Sequence, residues 1–125
     1  MRKKLIVIMA NTDPRNREEL GAPIFQASVA AAMGYEVELI CTATAAIILK
    51  KGVAETLKVK PIDVRTVYNL LQDAHVAGVK IYCCSPVLDL FSIHKEDLIP
   101  ECAGIIGAAR FIEEIMSGKC KVLTY

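Results

Sequence analysis

Most of the features that declare a function outright are missing from this sequence. There is no surplus of charge: 15 Lys and Arg face 14 Asp and Glu, for a formal net charge of +1 at pH 7. Such a balance supplies no one-signed field to hold nucleic acid, and charge gives no reason to expect a membrane surface as partner. There is no long apolar run either. The clean stretch over residues 5–10 has a strand's length, where a bilayer needs roughly 20 residues. Met1-Arg2-Lys3-Lys4 before it resembles the start of a signal peptide, yet the apolar part is too short. Asn11-Thr12-Asp13-Pro14 then ends it without a small-x-small cleavage pattern, so a cytoplasmic protein is expected.

Further absences narrow the chemistry. No Cys-x-x-Cys pair occurs, and the five cysteines, an odd number, do not suggest a secreted disulfide framework. His75 and His94 stand without ligand-like spacing to other donors, so no metal site is expected. No G-x-G-x-x-G follows the first apolar run, there is no P-loop, and no G-x-S-x-G elbow offers an esterase triad. A phosphotransfer receiver would cluster acids after its first strand, where only Asp13 stands. No organic cofactor is expected.

What is present is apolar. Hydrophobic residues make up 54% of a chain of 125 residues, which excludes disorder and fits one domain over residues 1–125. In a small chain that excess suggests a subunit interface. Residues 5–9 form a continuous apolar run, the mark of a strand covered on both faces. Residues 17–33 carry Leu20, Ile24, Ala27 and Ala31 at helical spacing, with Gly34 as the stop. Residues 36–41 read as a second strand, and Thr42 or Thr44 is placed to cap a helix over residues 45–49. Residues 53–60 read as at most a further helical turn. Asp63 is placed to cap a helix whose face is Val64, Val67, Leu71 and Ala74, ended by Gly78. Residues 79–84 read as a third strand, and Ser85-Pro86 opens a short helix with proline at its first position. Residues 103–106 suggest a fourth strand, residues 107–116 a helix with Ala108, Ile112 and Ile115 inward, and residues 120–125 an edge strand. Alternation of this kind predicts an α/β fold: a mostly parallel, about five-stranded sheet between helices.

In such a sheet, ligands gather beyond the carboxyl ends of the strands, where helix N-termini converge. The reactive residues there are Asn11 after the first strand, Cys41-Thr42 after the second and Cys83-Cys84-Ser85 after the third. Cys102 and Cys120 precede strands and belong to the opposite edge. Cys84 is the sharpest candidate. The positive end of the next helix would face its sulfur, drawing a thiol pKa down from about 8.5 and raising the thiolate fraction. Asp89 in that helix opposes an anion and moderates the shift. The competing reading makes Cys83 and Cys84 small strand hydrophobes, and only one of the two shares a given face. Cys41 and Cys83 are the second-thiol candidates, with a packed core thiol as the blander reading for each; Asn11, Thr42, Ser85 and Asp89 are expected to line a pocket.

At this point a resemblance enters. Lys80-Ile-Tyr-Cys-Cys84-Ser-Pro-Val-Leu-Asp89, with Ile93-His-Lys-Glu-Asp-Leu98-Ile after it, resembles the DsrE/DsrF-like family, which includes the TusD-type sulfur relay proteins. Gly107-Ala-Ala-Arg-Phe111-Ile resembles that family's last helix, and Cys41-Thr-Ala-Thr44 through Leu49-Lys50-Lys51-Gly52 resembles the segment before its "LLKKG". Cys84 matches the family cysteine and Cys83 does not. The resemblance implies a flavodoxin-like α/β/α subunit assembled as a homotrimer or hexamer. It also implies a persulfide carrier that takes sulfane sulfur on Cys84 and hands it to a partner thiol, such as a small TusA-like protein. Two departures bear on this. Some relatives carry aromatic residues where this chain has Cys41-Thr-Ala-Thr-Ala-Ala, which predicts a more open, polar pocket. Many members also serve as inactive subunits that lack the cysteine present here. The alternatives are a non-catalytic oligomeric subunit or small-ligand binder, and a thiol redox protein pairing Cys84 with Cys41 or Cys83.

Overall fold

The computed structural model describes residues 3–16, 18–59 and 64–125. Its centre is a five-stranded sheet made of β1 (Lys4–Met9), β2 (Glu36–Cys41), β3 (Lys80–Cys84), β4 (Cys102–Ile106) and β5 (Cys120–Thr124). Every pairing is parallel, in the spatial order β4-β3-β2-β1-β5. Parallel neighbours need crossovers, and these carry α1 (Glu18–Ala32), α2 (Val67–Ala77), α3 (Pro86–Leu90) and α4 (Ala108–Met116). This is the expected flavodoxin-like α/β/α class, with its own strand order. In flavodoxin's 2-1-3-4-5 order the direction reverses after the first crossover. Here the first three crossovers step the same way, and the fourth returns across the sheet to lay β5 beside β1.

That order decides the layers. Right-handed crossovers stepping one way place their helices on one face, and a crossover stepping back uses the other. The larger core accordingly joins Leu20, Ile24 and Ala27 of α1, Val67, Leu71 and Ala74 of α2 and Val87 of α3 to Val7, Leu39 and Ile81 of the sheet. The smaller packs Phe111 and Ile115 of α4 against Ile6, Ile40 and Ile106. Strand pleating gives the division: successive side chains of β1 go alternately to the two cores. Each fully buried Leu or Ile stabilises the fold by roughly 1.5–3 kcal/mol.

Several local expectations are corrected. The helix expected after β2 is a 3-10 helix over Ala43–Leu49, and Thr42 precedes it without the expected side-chain cap, with Ala43 at φ 50°. A shorter 3-10 turn covers Ala54–Thr56. The proposed cap Asp63 and the helix start at Arg17 lie outside the described residues. The cap of α2 is Thr66, whose hydroxyl accepts from the Asn69 amide while the Asn69 side chain accepts from the Thr66 amide. Val64, expected on that helix's inner face, lies before the helix and is exposed. Ser85 is already helical (φ −58°, ψ −39°) and makes no side-chain cap, although Pro86 takes the first helical position as expected. On α4 the inward pair is Phe111 and Ile115, while Ile112 is exposed.

Candidate functional site

The strand order also says where a ligand belongs. In open parallel sheets the crevice forms beyond the carboxyl ends of two adjacent strands whose onward chains leave to opposite faces. From β3 the chain leaves into α3, whose Val87 joins the larger core; from β4 it leaves into α4, on the smaller core. The switch therefore lies between the ends of β3 and β4. Cys84 is the last residue of β3 and stands in register with Ile106, the last of β4. The Ser85 amide donates to the Ile106 carbonyl at 2.8 Å, locking the two exits together. On the far side Gly107 caps α4 without a side chain, which leaves the first amides of that nine-residue helix with no intrahelical acceptor. The helix whose positive end reaches the switch is thus α4 as well as the five-residue α3 named from sequence.

Cys84 is 4% exposed and belongs to the larger core, as does Val87 of α3. That depth is what the competing reading, a small strand hydrophobe, requires. The segment after β2 also differs from the expected open pocket: Ala45 and Ala46 of the 3-10 helix are fully buried, while Ala43 is exposed. Thr42 and Ser85 are half-buried and follow the ends of adjacent strands, so the fold brings them beside Cys84. Asp89 is exposed on α3. Asn11 is not brought to the group. Its amide donates to the Tyr125 carbonyl at 3.0 Å, on the β1–β5 side, two strands from β3.

Cys41 and Cys83 are in-register partners on β2 and β3, both fully buried in the larger core. Burial pushes the Cys83 thiol up to about 11, with Cys102 and Cys84 nearby adding to the shift. Burial drives Cys41 further the same way. Neither is a ready thiolate at neutral pH. Cys102 and Cys120, half-buried, open β4 and β5 at the opposite edge as expected. Iodoacetamide at pH 8 should therefore alkylate Cys120 in the folded protein and leave Cys41 and Cys83 intact until denaturant is added. Fast native labelling of Cys41 or Cys83 by peptide mapping would contradict this burial.

One set of side chains escaped the sequence reading. Under α4, Lys4 donates to Glu38 at 2.9 Å and to Glu114, and Arg110 approaches Glu38 at 3.7 Å while lying over the Tyr82 ring at 4.7 Å. The side chains of Lys4 and Glu38 are only 13% and 5% exposed. Burial alone would lower the Lys4 pKa; hydrogen bonds to Glu114 and Glu38 outweigh it and hold it above 10.5. A hydrogen bond with Tyr82 likewise holds the Arg110 guanidinium in its charged form. The signal was available: Glu38 interrupts Val37-Glu38-Leu39-Ile40, and a carboxylate inside a buried strand requires a cation. Among the described residues no group of three or more His, Cys, Asp or Glu could hold a metal ion. No described helix is long and apolar enough to cross a membrane.

Comparison with known proteins agrees with this architecture. The ychN protein from E. coli has a solved structure that superposes with a TM-score of 0.77, at 23% identity and 100% coverage of both chains. BT1422 of Bacteroides thetaiotaomicron, described as a conserved protein of unknown function, gives 0.72 at 12% identity over 98% of this chain and 95% of its own. MTH1491 of Methanobacterium thermoautotrophicum, also of unknown function, gives 0.67 at 11% identity over the whole of both chains. At these identities the likeness shows the fold alone. No curated protein matches the chain. The sequence profile of the DsrE/DsrF/DrsH-like family matches residues 56–123, more than half of the chain, and takes in β3, Cys84, β4 and α4. The chain belongs to the DsrE/DsrF/DrsH-like family.

Proposed function

We propose that the protein is a cytoplasmic persulfide carrier or sulfurtransferase that accepts sulfane sulfur on Cys84 and passes it to a partner thiol. The observation that carries this reading is the position of Cys84 at the β3–β4 switch, where it ends its strand in register with Ile106, the residue before the Gly107 cap of α4. In the first step the Cys84 thiolate attacks the outer sulfur of a donor persulfide. The donor's S–S bond breaks, its electron pair leaves with the donor thiolate, and the outer sulfur stays on Cys84 as a persulfide. In the second step the partner's thiolate attacks that outer sulfur and Cys84 leaves as thiolate. Sulfane sulfur moves twice, with no net oxidant. Amides at a helix end favour the anion formed in each step, as they favour other anions. A small TusA-like sulfur carrier protein is the acceptor we propose.

The near-complete burial of Cys84 favours one rival, a non-catalytic oligomeric subunit or small-ligand binder in which every cysteine is structural. The third reading, a thiol redox protein using Cys41 or Cys83 as resolving thiol, has both of those thiols buried and held protonated. Treatment with inorganic polysulfide separates the three by intact mass: a gain of about 32 Da per sulfur supports the carrier, a loss of about 2 Da a disulfide. An unreactive folded chain supports the structural subunit. We also propose a homo-oligomer, a trimer or hexamer. The support is apolar side chains left in water on one subunit, among them Val76, Leu90 and Met116. Light scattering should return a multiple of 13.7 kDa, and a mass near 13.7 kDa would contradict it.

A further inference from the structure

The topology leaves one strip of sheet bare. Because α1, α2 and α3 follow crossovers that step from β1 toward β4, none of them covers β5, which sits at the opposite edge. Between α1 and β5 the surface opens into a groove of about 460 Å³, whose walls include Leu5, Phe25, Val29, Ala30, Met33 and Tyr35. Phe25, Val29 and Met33 recur at intervals of four residues and are 62%, 40% and 66% exposed. At the strand-start end the groove adjoins a second hollow of about 240 Å³ formed around Lys3, Lys4, Lys119, Cys120 and Lys121. Lys3, Lys4 and Lys121 line both hollows, and no acidic residue lines either. Lys4 is engaged by Glu38 and Glu114. Lys3, Lys119 and Lys121 are exposed and have no ion-pair partner among the described residues.

An apolar trough that ends in unneutralised ammonium groups matches a molecule with an alkyl body and one anionic head. We infer that this groove binds a single-chain fatty carboxylate, its alkyl chain along Phe25, Val29 and Met33 and its head at Lys3, Lys119 and Lys121. The inference is independent of Cys84, whose strand end lies at the other edge of the sheet.

The test is a titration of the whole 15N-labelled chain with decanoate, followed by amide shifts. Shifts should concentrate at Leu5, Val29, Met33, Tyr35 and Lys121. Dodecanoate should bind tighter than decanoate by about two- to fourfold per added methylene. Decanol, with the same body and no charge, should bind more weakly, and decyltrimethylammonium more weakly still. The Lys3→Gln/Lys121→Gln variant should weaken decanoate binding about fivefold or more while leaving decanol unchanged. Val29→Trp should fill the trough and abolish both, and Cys84→Ala should change neither. Should Val29→Trp fail to fold, the lysine variant decides alone. Equal binding of decanoate and decanol, or indifference to the two lysine changes, would overturn the site. So would dissociation of an assembly by Met33→Glu, which would assign the groove to a second copy.

Discussion

Cys84→Ala should keep its fold and its state of assembly and lose all transferable sulfur. Removing one buried sulfur atom from a site that is 4% exposed leaves only a small void, worth about 1–2 kcal/mol. The chemical loss is of another order, because the neighbouring thiols are fully buried. Burial pushes the Cys83 thiol up to about 11, and Cys41 is sealed beside it. Sulfur uptake from polysulfide at position 84 and discharge to an acceptor thiol should both fall at least about a hundredfold, as expected when the nucleophile itself is removed. Alanine is a cleaner replacement than serine here, since a hydroxyl in this burial needs a hydrogen-bond partner that a thiol does not. A variant that unfolds would mark Cys84 as a packing residue; a variant that still relays sulfur would assign the chemistry to another cysteine.

The second large effect is on stability. Lys4→Met removes the cation that serves both Glu38, 5% exposed on β2, and Glu114 on α4. Arg110 remains at 3.7 Å, too far and too exposed to replace it. A buried carboxylate stripped of its partner costs about 3 kcal/mol, which lowers Tm on the order of 10 °C in a domain of this size. Lys4→Met/Glu38→Met should recover most of that loss, because both charges then go together. The pH dependence has a definite sign. Folding holds the Lys4 pKa above 10.5, so its contribution is complete below the unfolded lysine's pKa. It is lost as pH rises through the higher folded value. The native chain should lose stability in that alkaline window, and Lys4→Met should lack this component. A Tm within about 2 °C of the native value, by calorimetry at pH 7, would show that the ion pair contributes little.

How much of this could be read from the residues follows from what each pattern encodes. Residues 36–41 became β2 because Val37, Leu39, Ile40 and Cys41, an apolar set with two β-branched residues, stand between a glycine stop and a threonine. Gly34 and Gly78 ended their helices at φ 93° and 106°, conformations that glycine alone adopts freely. The cap of α2 was misplaced because Asp63 and Thr66 both precede an apolar helix. The reciprocal bonds between Thr66 and Asn69 decide between them, and those are visible only in three dimensions. The same holds for α4, where one residue of offset exchanges Ile112 for Phe111 as the inward side chain. Strand order was not legible at all, since a sequence lists crossovers without their direction. That order brings the end of α4 to the switch as well as that of α3, to which sequence adjacency pointed. The depth of Cys84 was hidden for a related reason: alternation assigns a strand residue to a face, and burial depends on the loops that close over it.

The most direct measurement is peptide-resolved mass spectrometry of the folded protein after brief exposure to a limiting amount of polysulfide. Added sulfur is expected on the peptide carrying Cys84, removable by a thiol acceptor, with Cys41 and Cys83 unmodified. Sulfur found first on Cys120 or Cys102, and on Cys84 only after denaturation, would contradict it and leave the chain as a structural member of its family.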